Sequence, residues 1–353
     1  MEKAFAKNLI NIEPYVAGEQ PKSPDIIKLN ANENPYPPSP EVRKALAKFD
    51  YEALKLYPPM DAAPLRKAVA EYYGLDSSWI FSGNGSDDVL AAAFRAFFNS
   101  DKPILYPDIT YSFYPVWCDL LKIPYKTIPV DKDFNVNVED YFIENGGVVL
   151  PNPNAPTTIG LSLEKIEELV KNNKDSVVLI DEAYADFSNV SCVPLVKKYD
   201  NLVITQTFSK SRSFAGMRVA IAIGDPYLIS YLDAVKDSYN SYPMDAVSIR
   251  AGVAAINDRK YFKDTCKKII STRERTAKAL KELGFTMPDS SANFLFVTHP
   301  EHSAMEIFSF LRDKGIFVRY FNKPRIDNYL RITVGTDEQM DKMIAVLKEF
   351  FGQ

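Results

Sequence analysis

Two side chains suited to catalysis follow apolar runs that are typical of buried strands. Asp181 ends the run VVLID at residues 177–181, and Lys210 lies just beyond the run LVITQT at residues 202–207. Ligands of a parallel sheet bind at the carboxyl ends of its strands, so both side chains can face one ligand. A partly desolvated lysine loses its proton more easily, as Schiff-base chemistry requires, and an aspartate can pair with a protonated ring nitrogen. A turn-capping aspartate and a surface lysine are the simpler alternatives.

Three further segments contain groups that bind anions or hydrogen-bond a ligand. The glycine-rich segment GNGS at residues 83–86 opens a predicted helix, where backbone N–H groups can approach an anion. Asp88 stands where a dinucleotide fingerprint needs its third glycine, and no Gly-Lys-Ser/Thr follows for a P-loop, so neither nucleotide motif fits. Arg218 can hold a phosphate through two parallel hydrogen bonds. Asn154 can donate to a ring oxygen, although asparagine beside proline is commonly a turn former.

Composition argues against several other classes of function. The 353 residues include only two histidines, His299 and His302, in the polar segment THPEHS, for which we predict a solvated loop without a metal. The net charge of −4 favours neither a nucleic acid nor an anionic membrane as partner. Three widely spaced cysteines match neither a disulfide framework nor a zinc site, and they favour a cytoplasmic location. The N-terminus lacks the apolar run of a signal peptide, and no stretch is apolar over the length needed to cross a bilayer.

A parallel sheet is needed to bring these residues together. From about residue 62, short apolar runs alternate with helical segments, which predicts an α/β fold with a mostly parallel sheet covered on both faces. The predicted strands are residues 79–82, 103–106, 125–130, 148–151, 177–181, 202–207, 218–223, 293–297, 316–320 and 329–334. The predicted helices are residues 62–73, 86–99, 111–122, 162–172, 226–238, 303–314 and 336–351, with a long one at about 245–282.

Three regions follow from this pattern. Residues 1–45, rich in Pro and Asn, are expected to form an extended arm that also contributes to a small domain. Residues 46–245 are expected to form the large ligand-binding domain with seven strands. Residues 246–353 are expected to form the smaller α+β domain, joined to the large one by the long helix.

Nearly the whole chain resembles the fold-type-I aminotransferases that depend on pyridoxal phosphate, and most closely the histidinol-phosphate aminotransferases among them. Ser209-Lys210 and the segment DEAY at residues 181–184 are specific to the fold and the cofactor. The segments NENP at residues 32–35 and LRITVG at residues 330–335 narrow the resemblance to the subfamily. The other matching segments are KLYPP at 55–59, GNGSDD at 83–88, PDITYSFY at 107–114, PNPNAPT at 151–157, TFSKSRSFAGMR at 207–218 and FVRYF at 317–321.

The resemblance implies a role for each matching residue in cofactor binding. Lys210 bonds covalently to the cofactor, Asp181 pairs with its ring nitrogen, Tyr184 hydrogen-bonds its phenolic oxygen and Tyr111 stacks on its ring. Its phosphate is held by Gly85, Ser86, Thr207, Ser209 and Arg218. Tyr57 reaches the phosphate in the other subunit, which implies a homodimer with shared active sites. Ala155 replaces an asparagine common in the family at the phenolic oxygen, so either Asn154 substitutes or Tyr184 acts alone.

The resemblance also implies the reaction. L-Histidinol phosphate and 2-oxoglutarate would give imidazole-acetol phosphate and L-glutamate, with Tyr15, Asn32, Arg319 and Arg331 binding the substrates. Planar arginine groups suit both a phosphate and a carboxylate. The alternatives are an aromatic amino-acid aminotransferase, a threonine-phosphate decarboxylase and a non-catalytic module of the same fold.

Overall fold

The computed structural model describes residues 9–15, 18–21, 25–188 and 190–352. The rest of the predicted arm, residues 1–8, 16–17 and 22–24, lies outside the described residues. The strands are β1 Ile27–Lys28, β2 Ile80–Gly83, β3 Ile104–Pro107, β4 Tyr125–Ile128, β5 Gly147–Pro151, β6 Val178–Asp181, β7 Leu202–Thr207, β8 Ala220–Gly224, β9 Phe294–Val297, β10 Ile316–Phe317, β11 Arg319–Tyr320 and β12 Leu330–Thr333. The helices are α1 Pro40–Ala47, α2 Ala63–Tyr73, α3 Ser86–Phe97, α4 Tyr114–Leu121, α5 Leu163–Asn172, α6 Pro226–Tyr239, α7 Ala246–Asn257, α8 Arg259–Glu282, α9 Ala304–Asp313 and α10 Asp337–Phe350.

A seven-stranded sheet forms the centre of the large domain, in the order β2-β8-β7-β6-β5-β3-β4. Its pairings are parallel except at β8, which runs antiparallel to both β7 and β2. Helices cover both faces, which explains the continuous apolar strands: in β6, Val178 and Ile180 pack under α2, α5 and α7, while Leu179 packs under α3, α4 and α6. The predicted mostly parallel α/β sheet is confirmed.

A second core belongs to the small domain. Its antiparallel sheet has the order β11-β12-β9 and packs against α8, α9 and α10. The N-terminal segment joins this core, because β1 pairs with β10 and Leu29 is buried among the same residues. Residues 27–29 are therefore a core element of the small domain as well as part of an arm. We propose that the domain boundaries lie at residues 45 and 245, as predicted from the sequence.

The predicted long helix at 245–282 is wrong, because the chain breaks at Asp258 into α7 and α8. The Asp258 carboxylate accepts a hydrogen bond from the backbone N–H of Tyr261, as an N-cap residue does. Helix α1 was not predicted, although Ser39 caps it and a proline occupies its first turn. The predicted strand at 316–320 is interrupted at Val318 and forms two short strands.

The solvated loop predicted for the two histidines is wrong for His299, which is 6% exposed. Its ring packs against Phe285 and Phe351, and its Nε2 lies 3.2 Å from the carbonyl oxygen of Leu283. Within the described ranges, no cluster of ligating side chains could hold a metal ion. The same ranges contain no helix with both the length and the apolar character required to span a bilayer.

Candidate active site

A cavity of about 200 Å³ opens where the carboxyl ends of β5, β6 and β7 meet. The strand register explains this position. Pro151 pairs with Asp181, so β5 and β6 end at the same level, and β7 continues two residues beyond Thr205, the partner of Asp181. The segment around Ala31 and Glu33 closes the opposite side. The cavity is lined by eight residues predicted from the sequence, namely Ser86, Tyr111, Asp181, Tyr184, Thr207, Ser209, Lys210 and Arg218.

Asp181 is a buried carboxylate, 5% exposed, held by hydrogen bonds alone. It accepts one from the Tyr114 hydroxyl at 3.0 Å, one from the Ala183 N–H at 3.2 Å and one from the Thr205 hydroxyl at 3.4 Å. Burial raises its pKa to about 6, because the charged form is poorly solvated. No lysine or arginine of the described ranges forms an ion pair with it. A cationic ring nitrogen in the cavity would supply the missing charge.

Lys210 follows the last residues of β7 and points into the cavity. Its Nζ donates to the carbonyl oxygen of Ala31 at 3.3 Å. Burial lowers its pKa to about 8, and the positive charge of Arg331 acts in the same direction. The Asn34 side chain donates to the Lys210 carbonyl at 2.9 Å and so holds the loop in place. A neutral amine suited to covalent attachment is therefore accessible near neutral pH.

An anion cradle lies beside the N-terminus of α3. Gly85 has φ +85°, and a Cβ there would lie 2.2 Å from Nη2 of Arg218, so only glycine leaves room for this guanidinium. Arg218 Nη1 lies 3.5 Å from the Ser209 hydroxyl, and the Ser209 N–H donates to the Thr207 hydroxyl. The N–H groups of Ser86, Asp87 and Asp88 precede Val89, the first intrahelical donor of α3, and so have no partner within the helix. These groups fit the phosphate of the predicted cofactor.

Asp87 also lines this cavity, although no role was predicted for it from the sequence. Its carboxylate accepts a hydrogen bond from the Tyr111 hydroxyl at 3.0 Å and lies 3.5 Å from Nη2 of Arg218. It therefore holds the predicted stacking ring and the phosphate arginine together. The sequence does place Asp87 in the first turn of a predicted helix. Acidic residues are common there because they stabilise the helix, so this position alone did not indicate a role in the site.

Tyr184 lines the cavity beside Ala155, and its hydroxyl oxygen accepts a hydrogen bond from Asn32 at 2.9 Å. Asn154 does not line the cavity. Its side chain is bonded to the Ile109 carbonyl and to the hydroxyls of two threonines, Thr110 and Thr157. The sequence left open whether Asn154 also hydrogen-bonds the phenolic oxygen of the cofactor or whether Tyr184 does so alone. This arrangement favours Tyr184 alone.

Arg319 and Arg331 are direct cross-strand partners on β11 and β12. Arg331 donates to the Asn30 carbonyl at 2.9 Å, while its buried Nε has no hydrogen-bond partner among the described residues. Burial lowers the pKa of Arg331, and the charge of Arg319 acts in the same direction. No carboxylate in the described ranges forms an ion pair with either arginine. An anionic substrate group would neutralise the two guanidinium groups and accept a hydrogen bond from the unpaired N–H.

The remaining predicted residues lie at the edge of the site or away from it. Tyr15 stacks on Phe113 with ring centroids 4.9 Å apart, and its ring centroid is 6.2 Å from that of Tyr111. Asn32 is buried, and its side chain is occupied by Tyr184 and Thr333, which does not favour the predicted contact with substrate. Tyr57 lies outside the cavity of its own chain.

Comparison with known proteins agrees with this geometry. The family model for aminotransferase class I and II matches residues 24–347. A histidinol-phosphate aminotransferase of Lactococcus lactis subsp. cremoris is 51% identical over 347 residues, covering 98% of each chain. One from Acinetobacter baylyi is 53% identical over 342 residues, covering 96% of this chain and 95% of the relative. This chain belongs to the histidinol-phosphate aminotransferase family.

A solved structure supports the fold of this aminotransferase. The histidinol-phosphate aminotransferase of Sinorhizobium meliloti, in complex with pyridoxal-5'-phosphate, superposes with a TM-score of 0.83 at 23% identity. The match covers 92% of this chain and 91% of the other. At this identity the likeness concerns the fold, which includes the seven-stranded sheet described above.

The anion cradle predicts a specific effect of Gly85→Ala on cofactor binding. The added methyl group would displace Arg218 and strain a backbone at φ +85°, so pyridoxal phosphate should bind at least about 10-fold more weakly. Titration of the apoprotein, followed by absorbance, measures the dissociation constant. Gly216→Ala is the matched control, because a Cβ there meets no atom within 4 Å. Equal affinities for the two variants would contradict this account of the cradle.

The buried Asp181 predicts opposite effects of Asp181→Asn without and with cofactor. Its folded pKa of about 6 exceeds the ordinary value of 3.8, so the apoprotein loses stability as pH rises between those values. At pH 7 the variant apoprotein should gain about 1–3 kcal/mol in free energy of unfolding, and its stability should change less across that window. Added pyridoxal phosphate should stabilise the wild type more than the variant. Denaturant unfolding measures the stability of each protein with and without pyridoxal phosphate. A variant apoprotein less stable than the wild type at pH 7 would contradict the raised pKa of Asp181.

Proposed function

We propose that this enzyme transfers the amino group of L-histidinol phosphate to 2-oxoglutarate, yielding imidazole-acetol phosphate and L-glutamate. The single observation that carries this substrate choice is the Arg319–Arg331 pair, which has no counter-charge among the described residues. A phosphate brings about two charges and more acceptor oxygens than a carboxylate, so it can engage both guanidinium groups. The names of the relatives support the same substrate.

Pyridoxal phosphate supplies an electron sink for the pair of electrons left when the Cα–H bond breaks. We propose that Asp181 keeps the proton on the ring nitrogen, because a buried carboxylate without a cation stabilises that charge. Lys210 would hold the cofactor, and its amine, when free, would take up the proton that leaves the substrate Cα, as a general acid and base. Its lowered pKa of about 8 suits this task near neutral pH.

The other functions considered from the sequence have weaker support. An aromatic amino acid brings one carboxylate, which would leave one of the two arginines without a partner. A threonine-phosphate decarboxylase would also bind a phosphate, but the relatives at 51–53% identity are histidinol-phosphate aminotransferases. A non-catalytic module would not need a lysine of lowered pKa in the cavity.

We propose a homodimer in which Tyr57 of each chain completes the other chain's site. Tyr57 is 82% exposed and stacks on Tyr242 with ring centroids 4.7 Å apart. Exposed apolar side chains surround it in sequence, including Tyr51, Leu54 and Leu56. Such a concentration of exposed apolar groups favours a protein interface. The free, buried thiols of three cysteines, Cys118, Cys192 and Cys266, support a cytoplasmic location.

The substrate proposal predicts different effects for two arginine substitutions. Arg331→Ala should lower kcat/KM about 10- to 100-fold in both half-reactions, because each substrate presents an anion to this buried guanidinium. Arg319→Ala should lower it mainly for L-histidinol phosphate. Single half-reactions measured with L-histidinol phosphate and with L-glutamate separate the two effects.

Arg325→Ala is the matched control, because the charge of Arg325 is already balanced by the carboxylate of Asp108 at 2.9 Å. Unphosphorylated histidinol and phenylalanine should be poorer amino donors for the wild type. A wild-type preference for phenylalanine over L-histidinol phosphate would reject this substrate. Equal losses in both half-reactions for Arg319→Ala would reject the division between the arginines.

The shared-site proposal predicts complementation between two impaired homodimers. Tyr57→Phe and Lys210→Ala damage different halves of one site, so a heterodimer has one intact site. A mixture after subunit exchange should recover about a quarter of wild-type activity, by the statistics of a two-fold dimer. Tyr51→Phe mixed with Lys210→Ala serves as control. Sedimentation as a monomer, or no recovery after verified exchange, would refute the shared site.

A further inference from the structure

Asn32 has an unusual backbone for a buried residue. It is 1% exposed and has φ +54°, in the left-handed region that favours glycine. Such a conformation persists where the surroundings determine it, and it is found at functional sites. Here it is determined by hydrogen bonds to every polar group of the residue.

The hydrogen bonds of Asn32 also settle which way its amide points. The Thr333 hydroxyl accepts from the Asn32 N–H at 2.9 Å, and its own proton goes to Oδ1 of Asn32 at 3.1 Å. The Asn32 carbonyl accepts from Asn293 at 3.1 Å. With Oδ1 occupied by a donor, the amide nitrogen faces Tyr184 and donates to its hydroxyl oxygen at 2.9 Å.

A tyrosine hydroxyl has one proton, and this geometry determines where that proton goes. Because the oxygen of Tyr184 receives a hydrogen from Asn32, its own hydrogen points away from Asn32, and Tyr184 lines the cavity. A hydroxyl that accepts one hydrogen bond becomes a stronger donor in the next. Its neighbour Ala155 offers no polar side chain, so Tyr184 donates without help from that position.

We propose that Asn32 is a positioning residue that directs the Tyr184 proton onto the phenolic oxygen of pyridoxal phosphate. This inference rests on the proposed role of Tyr184. It gives a reason for a buried asparagine in a strained conformation at this point. This role replaces the direct substrate contact predicted for Asn32 from the sequence.

The pKa of the lysine-bound cofactor, read from its absorbance as pH is varied, tests the inference without any substrate. A hydrogen bond to the phenolic oxygen favours its anionic form and lowers the pKa of the proton shared with the lysine nitrogen. Asn32→Gly removes the donor and relieves the strain at φ +54°, so the variant should fold and the pKa should rise by about half a unit. Asn32→Asp should raise it further, because a carboxylate would draw the Tyr184 proton to itself.

A double-mutant cycle separates this role from a purely structural one. In a Tyr184→Phe background there is no proton to direct, so Asn32→Gly should cause no further change in the pKa. An unchanged pKa for Asn32→Gly in the presence of Tyr184, or the same shift in the Tyr184→Phe background, would overturn the inference. If Tyr184→Phe alone leaves the pKa unchanged, the proposed role of Tyr184 fails together with this inference. The substrate proposal is tested separately by the arginine variants.

Discussion

A carboxylate buried at the end of a strand, without a cation beside it, is the constraint on which the site depends. Asp181 can occupy that place because three donors form hydrogen bonds with it and because it lies between β5, which ends at the same level, and β7, which supplies Thr205. Its negative charge is costly in the empty protein and favourable beside a protonated ring. This contrast requires an apolar sheet that is covered on both faces, because water at the strand end would solvate the Asp181 charge whether or not the ring were present.

The two proposed anion sites differ in how their charge is balanced. Arg218, in the cofactor cradle, lies beside the carboxylate of Asp87, whereas Arg331 has no acidic partner among the described residues. Under the proposed function, one anion stays through the whole cycle and the other is exchanged twice per turnover. A guanidinium paired with a carboxylate suits the anion that stays bound, because its position does not depend on whether the anion is present. An unpaired guanidinium suits the anion that is exchanged, because it can form a new ion pair with each incoming substrate.

Much of this arrangement could be predicted from the sequence, for physical reasons. Strands covered on both faces are continuous apolar runs, so β5, β6 and β7 were located closely, and their ends indicated Asp181 and Lys210. What could not be predicted depends on contacts between distant residues. The break at Asp258 lies within an otherwise helical pattern, and the burial of His299 depends on Phe351. The partners of Asn32 and Asp87 lie on other elements, and residue type alone does not identify them.

The contact between Asn32 and Thr333 joins residues that are 301 positions apart. The partners of β1, which pairs with β10, and of Leu29, which accepts from the Thr333 N–H, are similarly distant in sequence. At a ribosomal speed of 5–20 residues per second, this N-terminal segment waits roughly 15–60 s before the strands that bury it exist. Until then it has no strand partner, and its capture carries a large loop-closure cost. The small domain is therefore completed last, and the wall of the cavity that residues 30–34 provide is a late product of synthesis.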